Sequence, residues 1–106
     1  MQGGDGMIPA SLRDKWELLQ ARAELTFLAD NGGGYPDALR GDGLTPAARR
    51  VLLRRLGFRV KEEYEMEAAY PWEPGMWPWV RLTNGVAVCL QDGFVSRAEK
   101  GGGRRG

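Results

Sequence analysis

Residues 44–70 read L-T-P-A-A-R-R-V-L-L-R-R-L-G-F-R-V-K-E-E-Y-E-M-E-A-A-Y, and this stretch decides the fold. It predicts a short helix that runs directly into a strand. Thr45 brings the hydroxyl of a helix cap, and Pro46 suits the first helical position, where no amide donor is needed. Gly57 supplies the left-handed residue that ends the helix, with Phe58 folding back on the last turn. From Phe58 the period shortens to two. Phe58, Val60, Tyr64, Met66, Ala68 and Tyr70 are expected on one side, and Arg59, Lys61, Glu63, Glu65 and Glu67 on the other; Glu62 interrupts the pattern. A strand alternates in this way when one face is dry and the other wet.

Upstream, a first helix is expected over residues 12–29, with Ser11 as its cap and Asp14 three residues later. Leu12, Trp16, Leu19, Ala23 and Phe27 recur at helical spacing and form the expected buried face, widened by Leu18, Leu25 and Leu28. Residues 31–43, N-G-G-G-Y-P-D-A-L-R-G-D-G, read as a connector pinned by Tyr35 and Leu39. A phosphate cradle would need a strand before such a loop and a G-K-[ST] run, and neither is present.

Downstream, residues 71–79, P-W-E-P-G-M-W-P-W, read as a stiff loop, because proline cannot donate to a sheet ladder. Asn84-Gly85 and Asp92-Gly93 then mark two tight reversals between three short strands. The whole predicts an α+β fold of order α-α-β-β-β-β: two N-terminal helices packed on one face of a four-stranded antiparallel sheet. Residues 1–10 are expected to be disordered, residues 11–99 to form a single domain, and residues 100–106 to be a flexible basic tail; Met7 is an alternative start.

Two-residue turns would fix the faces of the sheet. Pairing Thr83 with Val86, and Gln91 with Phe94, places Val80, Leu82, Ala87, Cys89, Phe94, Ser96 and Ala98 beneath the helices. The reverse face then collects Trp79, Arg81, Thr83, Val88, Leu90, Val95, Arg97 and Glu99. Such an apolar patch is expected to be covered either by helix one or the tryptophan loop of the same chain, or by a partner, since large apolar groups rimmed by arginine are typical of a contact surface.

Composition narrows the chemistry. The 106 residues are enough for one domain, 42% are apolar, and the formal net charge is +1. Histidine is absent, which removes the usual proton-transfer group near neutral pH and the commonest metal ligand. Cys89 is the single cysteine, so no intrachain disulfide or thiolate metal cluster forms; it is expected to be a small buried thiol. Acid–base chemistry is conceivable from Glu62, Glu63, Glu65, Glu67 and Glu73; Glu62 stands out because its register turns it inward, and pairing with an arginine of helix two is the simpler expectation for it. No catalytic residue, cofactor or metal site is assigned. With no leader and no long apolar run, the expected location is the cytoplasm.

The expected function is that of a small non-enzymatic protein-binding module: a regulator, inhibitor or adaptor docking on a larger protein. Its surface would comprise the tryptophan loop (Trp72, Trp77) and the second sheet face (Trp79, Arg81, Val88, Leu90, Val95, Arg97). A homodimer through that face is a variant of the idea. Trp72, Trp77 and Trp79 with Glu73 also suggest a cage for a cation. The alternative is nucleic-acid binding through Arg50, Arg54 and Arg55 of helix two, with Arg104 and Arg105 of the tail supplying further phosphate contacts.

Overall fold

The computed structural model describes residues 10–68, 72 and 75–97. Two helices are followed by a four-stranded antiparallel sheet, an α+β arrangement. Helix α1 spans Ala10–Asp30, α2 spans Pro46–Arg55, and the strands are β1 (Val60–Glu67), β2 (Met76–Leu82), β3 (Ala87–Cys89) and β4 (Val95–Ser96). The strands lie side by side in chain order.

The 44–70 stretch forms as its residues dictate. The Thr45 hydroxyl accepts from the Ala48 amide at 3.1 Å, and Pro46 is the first helical residue. At the other end Gly57 has φ +94°, and the Phe58 and Gly57 amides donate to the Leu53 and Arg54 carbonyls at 3.0 and 2.9 Å. These bonds satisfy carbonyls that the end of a helix leaves without donors, and they direct the chain into β1.

β1 departs from simple alternation. Val60 lies opposite Leu82 but Glu62 lies opposite Arg81, so the ladder carries a bulge between them. A bulge adds one residue to one strand and reverses which side the following residues face. Phe58 therefore joins the core under the helices, whereas Tyr64 and Met66 turn to the far face, opposite Trp79 and Trp77. The break that Glu62 makes in the sequence pattern is this bulge. Ala68 is half-buried at the end of β1, and Tyr70 lies outside the described residues.

The core is formed from both layers. Leu25, Ala29, Leu39, Leu53, Leu56 and Phe58 meet Val80, Leu82, Val86, Val88, Leu90 and Val95. Each leucine, valine or phenylalanine among them, when fully buried, contributes about 1.5–3 kcal/mol of transfer free energy. This overturns the expected reverse face: Val88, Leu90 and Val95 lie under the helices at 0% exposure and are not available to a partner.

The physical reason is a one-residue difference at the first reversal. Val80 pairs with Val88, not Cys89. The Leu82 amide donates to the Val86 carbonyl at 2.8 Å, and Gly85, at φ +93°, donates to the Leu82 carbonyl at 2.9 Å. The connection is thus a three-residue loop, Thr83-Asn84-Gly85, with glycine in the left-handed position. The Asn84 side chain accepts from the Val86 amide at 3.0 Å and holds it. Because side chains alternate strictly, one extra loop residue exchanges the faces of β3 relative to β2. At the second reversal the Cys89 amide donates to the Phe94 carbonyl at 2.8 Å, enclosing Leu90-Gln91-Asp92-Gly93. That loop is two residues longer than expected, so the faces of β3 and β4 keep their expected relation.

β2 begins at Met76, inside the stretch read as a loop, and it contains Pro78. The Pro78 carbonyl accepts from the Leu90 amide at 2.8 Å, but proline has no N–H to return the bond, and the Leu90 carbonyl accepts from the Arg49 guanidinium at 3.1 Å instead.

Helix α1 differs from expectation in its cap and its faces. It starts at Ala10, so Ser11 lies inside it. Leu25 and Ala29 are buried, with Ala21 and Leu28 packed against the core. The expected inner stripe is outside: Trp16, Leu19 and Phe27 are 61%, 57% and 64% exposed. Of the start expected to be disordered (residues 1–10), Ala10 begins α1 and residues 1–9 lie outside the described residues, as does the basic tail (residues 100–106).

Candidate functional site

Strand register defines the face of the sheet turned away from the helices. Tyr64 and Met66 of β1, Trp77, Trp79 and Arg81 of β2, and Cys89 of β3 share it, with Phe94 opposite Cys89. Small residues hold its middle: Ala87, Cys89 and Ser96 are all buried. Trp79 and Tyr64 stack, with ring centroids 6.3 Å apart and planes at 21°. The Arg81 guanidinium lies over the same tyrosine, 5.5 Å from its centroid, and 3.7 Å from the Glu62 carboxylate. Arginine, ring and carboxylate form one connected group at this end of the face.

At the other end lies a hollow of about 310 Å³. Its walls are Trp77, Trp79, Phe94 and Tyr35, Cys89 lines it between them, and Glu67 and Asp92 supply its carboxylates. Tyr35 comes from the connector, which is tied to the sheet: Gly34 and Val95 exchange backbone hydrogen bonds at 3.1 and 2.9 Å. Its ring meets Phe94 edge-on at 5.2 Å, and its hydroxyl reaches an Asp92 oxygen at 3.4 Å. The other Asp92 oxygen accepts from the Phe94 amide at 3.1 Å, which fixes the carboxylate in place. Burial pushes the Cys89 thiol up to about 12, so it is neutral at physiological pH.

The predicted site residues are therefore divided. Trp77, Trp79 and Arg81 share the far face, whereas Val88, Leu90 and Val95 belong to the core. Arg97 is on the helix side: it pairs with Asp30 at the end of α1, and its Nη1 donates to the Asn84 carbonyl at 2.7 Å. It fastens the first hairpin to α1 and does not rim a docking surface. Trp72 is 73% exposed and does not line the hollow. Glu73 and Glu99 lie outside the described residues.

The helix-two arginines are not gathered into one patch. Arg50 donates to Glu63 of β1 at 3.0 Å, and Arg50 and Arg54 line a hollow of about 370 Å³ with Arg59 and Glu63. Arg55 lines a different hollow, together with Asp14 and Glu17. Arg104 and Arg105 lie outside the described residues. Glu62 is exposed and pairs with Arg81, not with helix two, so the inward-facing carboxylate read from the sequence is absent. No group of three or more metal-ligating side chains occurs among the described residues, and no helix there is long and apolar enough to cross a membrane.

Arg49 is the residue that sequence reasoning missed. It is 2% exposed, and its guanidinium reaches the carbonyls of Leu39, Gly41, Leu44, Leu90 and Gln91 at 2.8–3.1 Å. It thereby joins the connector, α2 and the second hairpin. The available signal was its spacing, since Arg49, Leu53 and Leu56 recur on one face of α2.

A scan against protein-family models finds no match, and neither the curated proteins nor the solved structures yield a significant similarity.

Proposed function

We propose that the chain is a small non-enzymatic protein-binding module that docks on a larger protein through the far face of its sheet. The observation that carries this reading is the hollow between Trp77, Trp79, Phe94 and Tyr35, an aromatic concavity on the face that the helices do not cover. Aromatic anchors around a concave centre are what protein contact sites use for most of their binding energy. Both tryptophans are carried on a paired strand, Trp77 opposite Met66 and Trp79 between Tyr64 and Cys89, which limits the conformational entropy lost on docking.

Selection of random peptides on the wild-type chain, with Trp79→Ala as counter-target, tests the reading. Peptides are expected to emerge whose binding falls at least tenfold with Trp79→Ala and with Tyr64→Ala, both variants retaining wild-type circular dichroism. A selection that yields only peptides indifferent to both substitutions would dismiss docking through this face. Nucleic-acid binding behaves differently: affinity for an oligonucleotide would fall steeply with salt and with Arg54→Ala, because counterion release dominates it.

A further inference from the structure

The aromatic hollow has a chemical bias beyond its shape. Among the described residues its carboxylates are Glu67, at the end of β1, and Asp92, held by Phe94 and Tyr35, and none of those that line it is basic. Cys89, which also lines it, is a neutral thiol at physiological pH. The hollow is thus apolar at its walls and negative at its edge, a combination that favours a cation with a flat, weakly hydrated surface.

The same face shows which cation such a surface holds. At its other end Arg81 lies on Tyr64 and faces Glu62, so ring, guanidinium and carboxylate meet within one strand pair. Tyr64 stacks on Trp79, and Trp79 is a wall of the hollow, so the aromatic row is continuous from one end to the other. Around the hollow, rings and carboxylates recur, and the described residues contribute no guanidinium to the lining.

We infer that the hollow receives an arginine side chain of the partner protein, whose guanidinium lies against the indoles of Trp77 and Trp79 and pairs with Glu67 and Asp92. This rests on the docking reading above and specifies the partner's chemistry. Arginine fits better than lysine because its planar guanidinium stacks on aromatic faces, sheds water more readily and offers a fork of donors to carboxylates. A volume of about 310 Å³ is at the small end of ligand sites, which run to roughly 1,000 Å³, and suits one side chain better than a cofactor.

The test uses the full chain and three small probes: N-acetyl-argininamide, N-acetyl-citrullinamide and N-acetyl-lysinamide. Citrulline keeps the planar shape of arginine and removes its charge. Binding is followed by tryptophan fluorescence and by amide and indole shifts in nitrogen–proton correlation spectra. The arginine probe is expected to bind in the millimolar range, shift the Trp77 and Trp79 indoles, and bind about tenfold more tightly than either other probe. Glu67→Gln, a change at an exposed position, is expected to weaken it severalfold without altering the circular dichroism. Equal binding of citrulline or lysine, indifference to Glu67→Gln, or no indole shift with arginine at 100 mM would each overturn the inference. Peptides from the Trp79-dependent selection separate the two claims. If they bind without a basic residue, docking stands and the arginine assignment fails; if no such peptides exist, both fail.

Discussion

At the scale of single residues, Arg49 carries more of the structure than its neighbours in helix two suggest. A buried guanidinium is costly unless its donors are satisfied, and here the satisfaction comes from five backbone carbonyls rather than from a carboxylate. Those carbonyls belong to two loops that would otherwise meet with acceptors facing acceptors. Gly93 marks how close the loops come: a β-carbon there would lie 2.5 Å from the Leu39 carbonyl oxygen. Arg49→Ala is expected to lower the unfolding free energy by about 3–5 kcal/mol, measured by urea denaturation, because several buried acceptors lose their donor at once. Arg49→Lys, which keeps the charge and lacks the fork, should restore only a minor part. A loss below about 1 kcal/mol would show that the loops hold each other without it.

At the scale of elements, α1 is anchored by its C-terminal half and presents its N-terminal half to solvent. The buried positions are Leu25 and Ala29, while Trp16, Leu19 and Phe27 point outward. Both stripes have helical spacing, so periodicity alone could not choose between them. The choice was made by the connector, which returns the chain to β4 through Gly34 and Val95 and so sets the rotation of the helix about its axis. Leu25→Ala is expected to cost about 2–5 kcal/mol, as other deletions from a packed core do. Trp16→Ala and Phe27→Ala should stay within about 0.5 kcal/mol of wild type, the range of exposed substitutions. Thermal or urea midpoints of the three variants check this, and a Trp16→Ala loss comparable to that of Leu25→Ala would contradict the assignment of faces. β1 gives the same lesson. Glu62 was visible as an irregularity, yet its meaning as a bulge needed β2 beside it, since a bulge exists only relative to a partner strand.

At the scale of the whole molecule, stability across pH follows from which groups the fold perturbs. Histidine is absent, so the commonest source of a transition between pH 5 and 8 is missing. Among the described residues the Cys89 thiol is raised from 9.0 to about 12, chiefly by burial, with the Asp92 charge adding to it. Below pH 9 the thiol is protonated in both states and its contribution is complete. Above pH 9 the unfolded chain releases the proton while the folded chain retains it, so stability falls by about 1.4 kcal/mol per pH unit until the folded value near 12 is reached. Urea midpoints at pH 8 and pH 10.5 should therefore drop more for wild type than for Cys89→Ala. Equal drops would mean that other alkaline groups set the slope.

The sequence by itself determined the order of elements, the boundaries of α2 with its threonine cap and glycine exit, and the presence of two reversals near Asn84-Gly85 and Asp92-Gly93. These are local matters: a hydroxyl three residues from the amide it accepts from, or a glycine that tolerates positive φ, acts within a few residues. Which side chains meet was decided only by tertiary structure. A three-residue loop in place of a two-residue one sends Val88, Leu90 and Val95 into the core and leaves Trp79 and Arg81 on the far side. Local turn chemistry tolerates either loop, and the difference is made by burial: the longer loop brings Val80, Leu82, Val86 and Val88 to one face, where the helices can cover them together.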